Sequence, residues 1–340
     1  MKSRVAALLL ALSAALWAVP GHSTEAELLD FDALDGWAQD DHGAALEVFL
    51  RSCARHADPE WTAVCAFAAQ ARPDPRAFFE RFFRPVLIGA RDQMLFTGYF
   101  EPEILASAVR QPGFTTPVYR VPPDLTPGQV HLSRGQIDSG ALAGRGLEIA
   151  WVSSPAELYY LQMQGSGRLV LRDGRVLRLG FGAQNGHPRR FVSGEFVRRG
   201  ILAAHQVSAP TIRSWVQRNP DQGREILNTD PSYVFFRVLE GHSAALGPLG
   251  ALNVPLTPLR SLAVDPAFTP LGAPVWIERG AMRRLMIAQD TGGAIKGAQR
   301  ADIYFGTGDG AGQAARQVRD GGRMVVLMPI ELAFARLIGP

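Results

Sequence analysis

The stretch that decides the reading runs Met286-Ile-Ala-Gln-Asp290-Thr-Gly-Gly-Ala-Ile-Lys296-Gly-Ala-Gln-Arg300-Ala-Asp302-Ile-Tyr-Phe-Gly-Thr-Gly308. Two carboxylates, Asp290 and Asp302, stand on either side of a Gly-Gly turn, a lysine and an arginine. The flanks Leu285–Ala288 and Ile303–Phe305 read as short buried strands. Carboxylates at strand ends beside glycines and cations have the makings of a chemical site. The plain alternative is a solvated loop whose glycines only turn the chain.

Three further segments place polar groups in strand or turn settings where a pure core would have none. Phe96-Thr97-Gly98-Tyr99-Phe100-Glu101-Pro102 ends a strand with a hydroxyl, a ring and a carboxylate. Leu161-Gln162-Met163-Gln164-Gly165-Ser166-Gly167 alternates amides with apolar residues, then opens into a Gly-Ser-Gly turn. Phe181-Gly182-Ala183-Gln184-Asn185-Gly186-His187-Pro188 adds two more amides and a histidine. Amides satisfy sugar hydroxyls and rings stack on sugar faces, so the set suits a carbohydrate. Taken singly each has a bland reading. Gln162 and Gln164 share one face of an expected strand and could be a solvent-facing row. Gln184-Asn185-Gly186 is a turn signature that needs no function. His187 reads as a loop residue, and Glu101 as a second acid or as a residue that orders a loop.

Outside these segments the texture changes twice. Residues 27–95 read as helical, with apolar positions three and four apart. Asp74-Pro75-Arg76 starts an amphipathic turn whose four phenylalanines are core rather than a ligand box. From Met94 short strands take over, and Arg172-Asp173-Gly174-Arg175 reads as a hairpin turn. Residues 193–227 return to helix, with Ser208 as N-cap and Pro210 as first helical residue. After Asp230 the chain reads as β to its end. Short strands in 94–105 and 233–328 imply one small barrel interrupted by an insertion.

The chain has 340 residues, 47% hydrophobic and 20% charged, with 35 glycines and 24 prolines. At roughly 150 residues per domain that suggests two turn-rich globular domains. The net charge of +3 rests on arginine, since Lys2 and Lys296 are the only lysines. No basic run of five residues exists, which argues against nucleic acid. Met1-Lys-Ser-Arg followed by an apolar run to Val19 reads as a secretory signal covering 1–23, cleaved after Ser23. No cysteine sits at that point to carry a lipid, and no later span is long and apolar enough to cross a bilayer. An exported, monomeric protein is expected. Cys53 and Cys65, 12 residues apart, are expected to pair in an oxidising compartment, with two separate buried thiols as the alternative.

Several chemistries find no motif. There is no phosphate-binding G-x-x-x-x-G-K-[ST] loop, and Gly165-Ser166-Gly167 lacks the spacing of a nucleophile elbow. Paired-histidine metal signatures and calcium-loop spacing are absent, so no cofactor or metal is expected.

The quoted segments, with Tyr233–Arg237 and Gly247–Asp265, resemble the lytic murein transglycosylase A (MltA) family from about residue 90 to about 330. The C-terminal part is similar to the 3D domain, named for three aspartates that Asp265, Asp290 and Asp302 match. The resemblance implies a mainly β protein with N-terminal helices: a double-psi β-barrel, 27–105 with 235–340, interrupted by a smaller β-rich glycan-binding domain, 106–234. It further implies cleavage of the β-1,4 bond between N-acetylmuramic acid and N-acetylglucosamine without water, leaving a 1,6-anhydro end. Asp302 matches the family's single acid/base, and Asp290 would support it. Thr97, Gly98, Tyr99, Gln162, Gln164, Ser166, Gly167, Gln184 and Asn185 are the candidate sugar contacts. Glycan strands are the expected partner, with other cell-wall enzymes as further candidates, in the periplasm or at the outer membrane. A hydrolase using both aspartates and a non-catalytic peptidoglycan-binding scaffold are the rival readings.

Overall fold

The computed structural model describes residues 26–56, 58–69, 74–90, 94–241, 243 and 245–338. The expected signal segment lies outside them. Three helices open the chain: α1 His42–Cys53, α2 Pro59–Ala68 and α3 Pro75–Phe82. Each begins at an aspartate whose carboxylate accepts an orphan N–H: Asp41 from Ala44, Asp58 from Glu60 and Asp74 from Ala77. Pro59 and Pro75 follow two of these caps, where a missing N–H costs nothing. A disulfide between Cys53 and Cys65 joins α1 to α2. Phe78, Phe79 and Phe83 are buried against Phe49, so the phenylalanine cluster is core as expected.

Nine strands form the larger sheet. In chain order they are β1 Ala26–Leu28, β2 Phe83–Ile88 and β3 Leu95–Glu101, then, beyond the second sheet, β10 Ser261–Val264, β11 Pro274–Arg279, β12 Met282–Thr291, β13 Arg300–Thr307, β14 Arg319–Asp320 and β15 Arg323–Pro329. Their order across the sheet is β1-β2-β15-β11-β12-β10-β13-β3-β14. The sheet curls into a nearly closed barrel whose pairing is mixed: β10 runs parallel to β12 and β3 parallel to β13. That mixture is consistent with the double-psi arrangement. The N-terminal helices cover one face, where Phe96, Leu262, Trp276, Ile287, Ile303 and Val325 are fully buried.

The second sheet contains β4 Glu103–Ser107, β5 Thr116–Tyr119, β6 Glu148–Val152, β7 Gly167–Leu171, β8 Val176–Gln184 and β9 Val234–Val238. Its order is β5-β6-β4-β7-β8-β9, and a bridge between Arg120 and Phe236 brings its two edge strands together. Strands β4 and β9 lie astride the expected boundaries at 106 and 234. Beside this sheet pack α4 Arg134–Gln136, α5 Pro155–Gln164, α6 Ser193–Arg198, α7 Ala209–Arg218 and α8 Pro220–Leu227. Ser208 caps α7, with Pro210 in its first turn, and Gly174 turns β7 into β8 at φ 86°.

Three parts of the sequence reading need correction. Glu157–Gln164 forms α5, not a strand: Ser154 caps it, Pro155 starts it, and Gly165 ends it at φ 77°. The helical stretch up to residue 95 contains β2, whose Val86, Leu87 and Ile88 are buried between β1 and β15. The C-terminal region is not β throughout, because α9 Gly308–Arg316 and α10 Ile330–Ile338 interrupt and follow the last strands.

Candidate active site

The carboxylate segment folds as two strands of the barrel sheet separated by β10. Thr97 of β3 pairs with Asp302 of β13, Asp302 with Ala263 of β10, and Ala263 with Asp290 of β12. These residues form one row on one face, and strands about 4.8 Å apart set the two aspartates about 10 Å apart at the backbone. A bulge in β12 makes the row possible. Leu262 pairs with Ala288 but Ala263 with Asp290, so Gln289 is the extra residue. Gln289 turns into the core, where its amide meets Val48 O, Ser52 Oγ and Ser261 Oγ. Without that extra residue the glutamine would occupy the place of the second acid.

Beside the row lie Tyr99, Tyr304, Ile295 and Leu256, which with Ala263 form a small apolar cluster separate from the main core. Tyr99 and Tyr304 pack with ring centroids 5.3 Å apart. Burial, followed by the charges of Asp290 and Asp302, drives the Tyr99 phenol well above its ordinary range, so it remains a donor.

The two aspartates differ in their partners. Asp290 Oδ2 accepts from Tyr99 Oη at 3.0 Å, and Oδ1 accepts from Ala251 N and Thr291 N at 2.9 Å each. Asp302 Oδ1 accepts from Thr97 Oγ1 at 2.7 Å, and Thr97 accepts from Arg300 Nη2 at 2.9 Å. Among the described residues no protein donor reaches Asp302 Oδ2. Both side chains keep some exposure, yet protein crowds them on most sides. Burial lifts each carboxyl from about 3.8 to about 6, against the hydrogen bonds that favour its ionised form. For Asp302 those opposing influences are the Thr97 hydroxyl and the Arg300 charge.

Asp265, the third aspartate, ties the glycine-rich turn down: its Oδ2 accepts from Gly297 N at 2.9 Å and its Oδ1 lies 3.8 Å from Lys296 Nζ. Glu101 is completely buried and pairs with Arg168 and Arg178 of the second sheet, at 3.0 and 2.8 Å, while accepting from Thr307 Oγ1. It orders the junction between the sheets. Among the described residues no three His, Cys, Asp or Glu side chains gather into a metal-sized cluster.

The remaining candidates divide. Thr97 and Tyr99 hold the acids. Gly98 is there for packing, since a Cβ would stand 2.7 Å from Ala315 O of α9. Gly167 likewise abuts Leu161 and Pro102. Gln164 accepts from Phe100 N at 3.1 Å, fastening α5 to β3, and Ser166 is buried in the turn that follows. Gln162 points inward and donates to Val234 O at 2.9 Å. Asn185 is fully buried, donating to Leu132 O and Pro231 O and accepting from Tyr233 N. Gln184 is exposed on β8, and His187 contacts His131 O. The spacing gave no warning of Ala263, whose small side chain leaves room between the acids, nor of the Ala251 amide, because backbone groups have no sequence signature.

Fold and site together define a two-sheet β protein that presents an acid with one unclaimed oxygen beside a second acid whose oxygens are both engaged. Residues 95–237 match the MltA specific insert domain and residues 260–328 the 3D domain. The membrane-bound lytic murein transglycosylase A of Vibrio cholerae is 31% identical over 267 residues, 74% of this chain and 70% of the relative. Its Escherichia coli K12 counterpart is 35% identical over 246 residues, 68% of this chain; the match spans only 65% of that relative's length. Among solved structures, MltA from Neisseria gonorrhoeae superposes with a TM-score of 0.80 at 29% identity, covering 92% of this chain and 94% of that one. Escherichia coli MltA with bound chitohexaose gives 0.71 at 28% identity, over 85% and 90%. The chain belongs to the MltA family.

Proposed function

We propose that the protein is a lytic transglycosylase of peptidoglycan, with Asp302 as its single acid/base. The observation that carries this reading is the Oδ2 of Asp302: an unclaimed oxygen on a carboxyl raised to about 6, next to an aspartate with both oxygens engaged. Glycosidic cleavage needs an acid that protonates the departing oxygen as positive charge grows on the ring. Asp302 donates to O4 of N-acetylglucosamine, breaking the C1–O4 bond to N-acetylmuramic acid. The resulting carboxylate takes the proton from the muramic acid O6 hydroxyl as that oxygen forms its bond to C1. One carboxyl serves both halves because the nucleophile belongs to the substrate. The product is a 1,6-anhydro end, and no water is consumed.

Thr97 holds Asp302 in orientation, and Asp290 fixes Tyr99 and the loop at Ala251. A hydrolase would ask Asp290 to activate water, but its oxygens already accept three hydrogen bonds. We place the protein in the periplasm, acting on glycan strands of the wall. Among the described residues no helix is long and apolar enough to cross a membrane, and the relatives' names call them membrane-bound.

The test is mass spectrometry of the fragments released from purified sacculi. Anhydro ends, lighter by one water than reducing ends, are expected. Asp302→Asn should lower turnover by about 1,000-fold while glycan binding persists. Reducing ends would make the enzyme a hydrolase, and no release by the native protein would favour a binding scaffold. Substantial turnover by the asparagine variant would sink Asp302 as the acid.

A further inference from the structure

The second sheet carries a concavity that this chemistry does not use. It holds about 590 Å³ between β5, β6, α5 and α8, and every residue lining it falls between Arg110 and Tyr233. None of the groups around Asp302 or Asp290 belongs to it.

Arg134 forms part of its lining and is only 4% exposed. Its Nε donates to Asp230 O at 3.2 Å and its Nη2 to Ser232 O at 2.6 Å. The guanidinium rests against two rings, 4.9 Å from the Tyr159 centroid and 5.3 Å from that of Tyr233. Among the described residues no carboxylate forms an ion pair with it, and its Nη1 has no partner yet is not sealed from solvent. The Asp230 charge supports it without contact, and a buried cation held otherwise by carbonyls and rings is costly. Burial correspondingly weakens its hold on its proton.

The same pocket contains an unanswered negative charge. Glu148 pairs across the strands with Tyr119, and no cation meets it among the described residues. Burial and the Glu148 charge both push the Tyr119 phenol upward. The other acid of the pocket, Asp138, is already answered by Arg224 at 3.2 Å and Asn228 at 3.0 Å. The half-buried ring of Trp151 and the exposed Arg110 also line the pocket.

We propose that this pocket binds an amino-acid or peptide end that carries both a carboxylate and an ammonium. The carboxylate meets Arg134, the ammonium meets Glu148, and the carbon chain between them lies against Trp151. A neutral sugar would answer neither charge, and a simple anion would face Glu148 unaided. Wall peptides built on a diamino acid present this pair of groups, so the proposal deepens the function above: the barrel sheet handles the glycan and the inserted sheet reads the stem hanging from it. The ligand's identity rests on that reading; the pocket's charge pattern does not.

The experiment is calorimetric titration of the mature protein with three probes: an N-acetylmuramyl tripeptide ending in diaminopimelate, the same compound with its amine acetylated, and the peptide-free disaccharide. The free tripeptide is expected to bind in this pocket. Acetylation should weaken it about tenfold, the loss of one charge-assisted contact. Glu148→Gln should cost the free tripeptide the same factor and the acetylated one nothing, with an unchanged unfolding midpoint. Arg134 also clips backbone carbonyls, so its replacement is the less informative variant. Equal binding of free and acetylated probes, equal binding of the disaccharide, or no binding at all overturns the proposal. Peptide binding by a protein that leaves sacculi intact would support the pocket and reject the enzymatic reading. Cleavage of sacculi without peptide binding would do the reverse.

Discussion

Asp302 and Asp290 lie on one row and are raised alike, but only Asp302 has an oxygen with no protein donor among the described residues. That difference has a signature in stability. The folded carboxyl of Asp302 titrates at about 6 and an unfolded one near 3.8. Between those values the folded chain holds a proton that the unfolded chain has released. This contribution is therefore fully present below about pH 4 and is lost as pH rises through 6. Asp302→Asn removes the charge while its amide oxygen still accepts from Thr97. The variant should be more stable than the native chain at pH 7 by about 1–2 kcal/mol, discounted for partial exposure, and no more stable at pH 4. Thermal melts at the two pH values check it; a variant less stable at both would contradict the burial argument. The same titration sets the rate profile. Because the acid must arrive protonated, kcat/KM should fall about tenfold per pH unit above 6.

Elements place these residues, and here the sequence was legible unevenly. The aspartate-proline start of α3, the Ser208 cap of α7 and the strands around Asp290 and Asp302 could be read, because caps and apolar runs are local signals. Helix α5 reads as a strand because Leu161-Gln162-Met163-Gln164 alternates apolar residues with amides. The counter-signal was local too: Ser154, Pro155 and Glu157 make a helix start, and Gly165 a stop. Helix α9 hid behind Gly308-Asp-Gly-Ala-Gly, which looks like turn sequence. Those small residues are needed because the helix lies almost on the strand beneath it. Gly98 faces Ala315, and a Cβ on Gly312 would meet the Phe100 ring at 2.7 Å. Gly98→Ala is accordingly expected to destabilise the protein by about 1–3 kcal/mol and to loosen Thr97 next to it. Denaturant unfolding measures the first effect and turnover the second. A neutral result would mean that α9 can retreat at no cost. The bulge at Gln289 was beyond sequence reasoning, since it exists only in the pairing of β12 with β10.

At the scale of the whole molecule, one buried carboxylate joins the two sheets. Glu101, at the end of β3, meets Arg168 and Arg178 of the inserted sheet and Thr307 of the barrel. Arg178 also donates to Ser243 O at 2.7 Å, adding the return crossing to the same knot. Removing the charge takes the buried carboxylate from both guanidinium groups, leaving Arg178 with carbonyls and Arg168 with Glu103 at 3.5 Å. Glu101→Gln should cost about 3 kcal/mol in global stability. It should also lower turnover more than the binding of glycan to the barrel face. A variant with native stability would show that solvent replaces the carboxylate freely.

The hydroxyl that steadies the acid lies 205 positions earlier in the chain, on a strand laid down before the inserted sheet is made. A ribosome has therefore finished nearly the entire polypeptide before Thr97 and Asp302 can meet. Any fragment broken off by protease or premature termination between them lacks one half of the pair. Under the function proposed above, neither piece carries an acid held in orientation, so turnover belongs to the fully threaded chain alone.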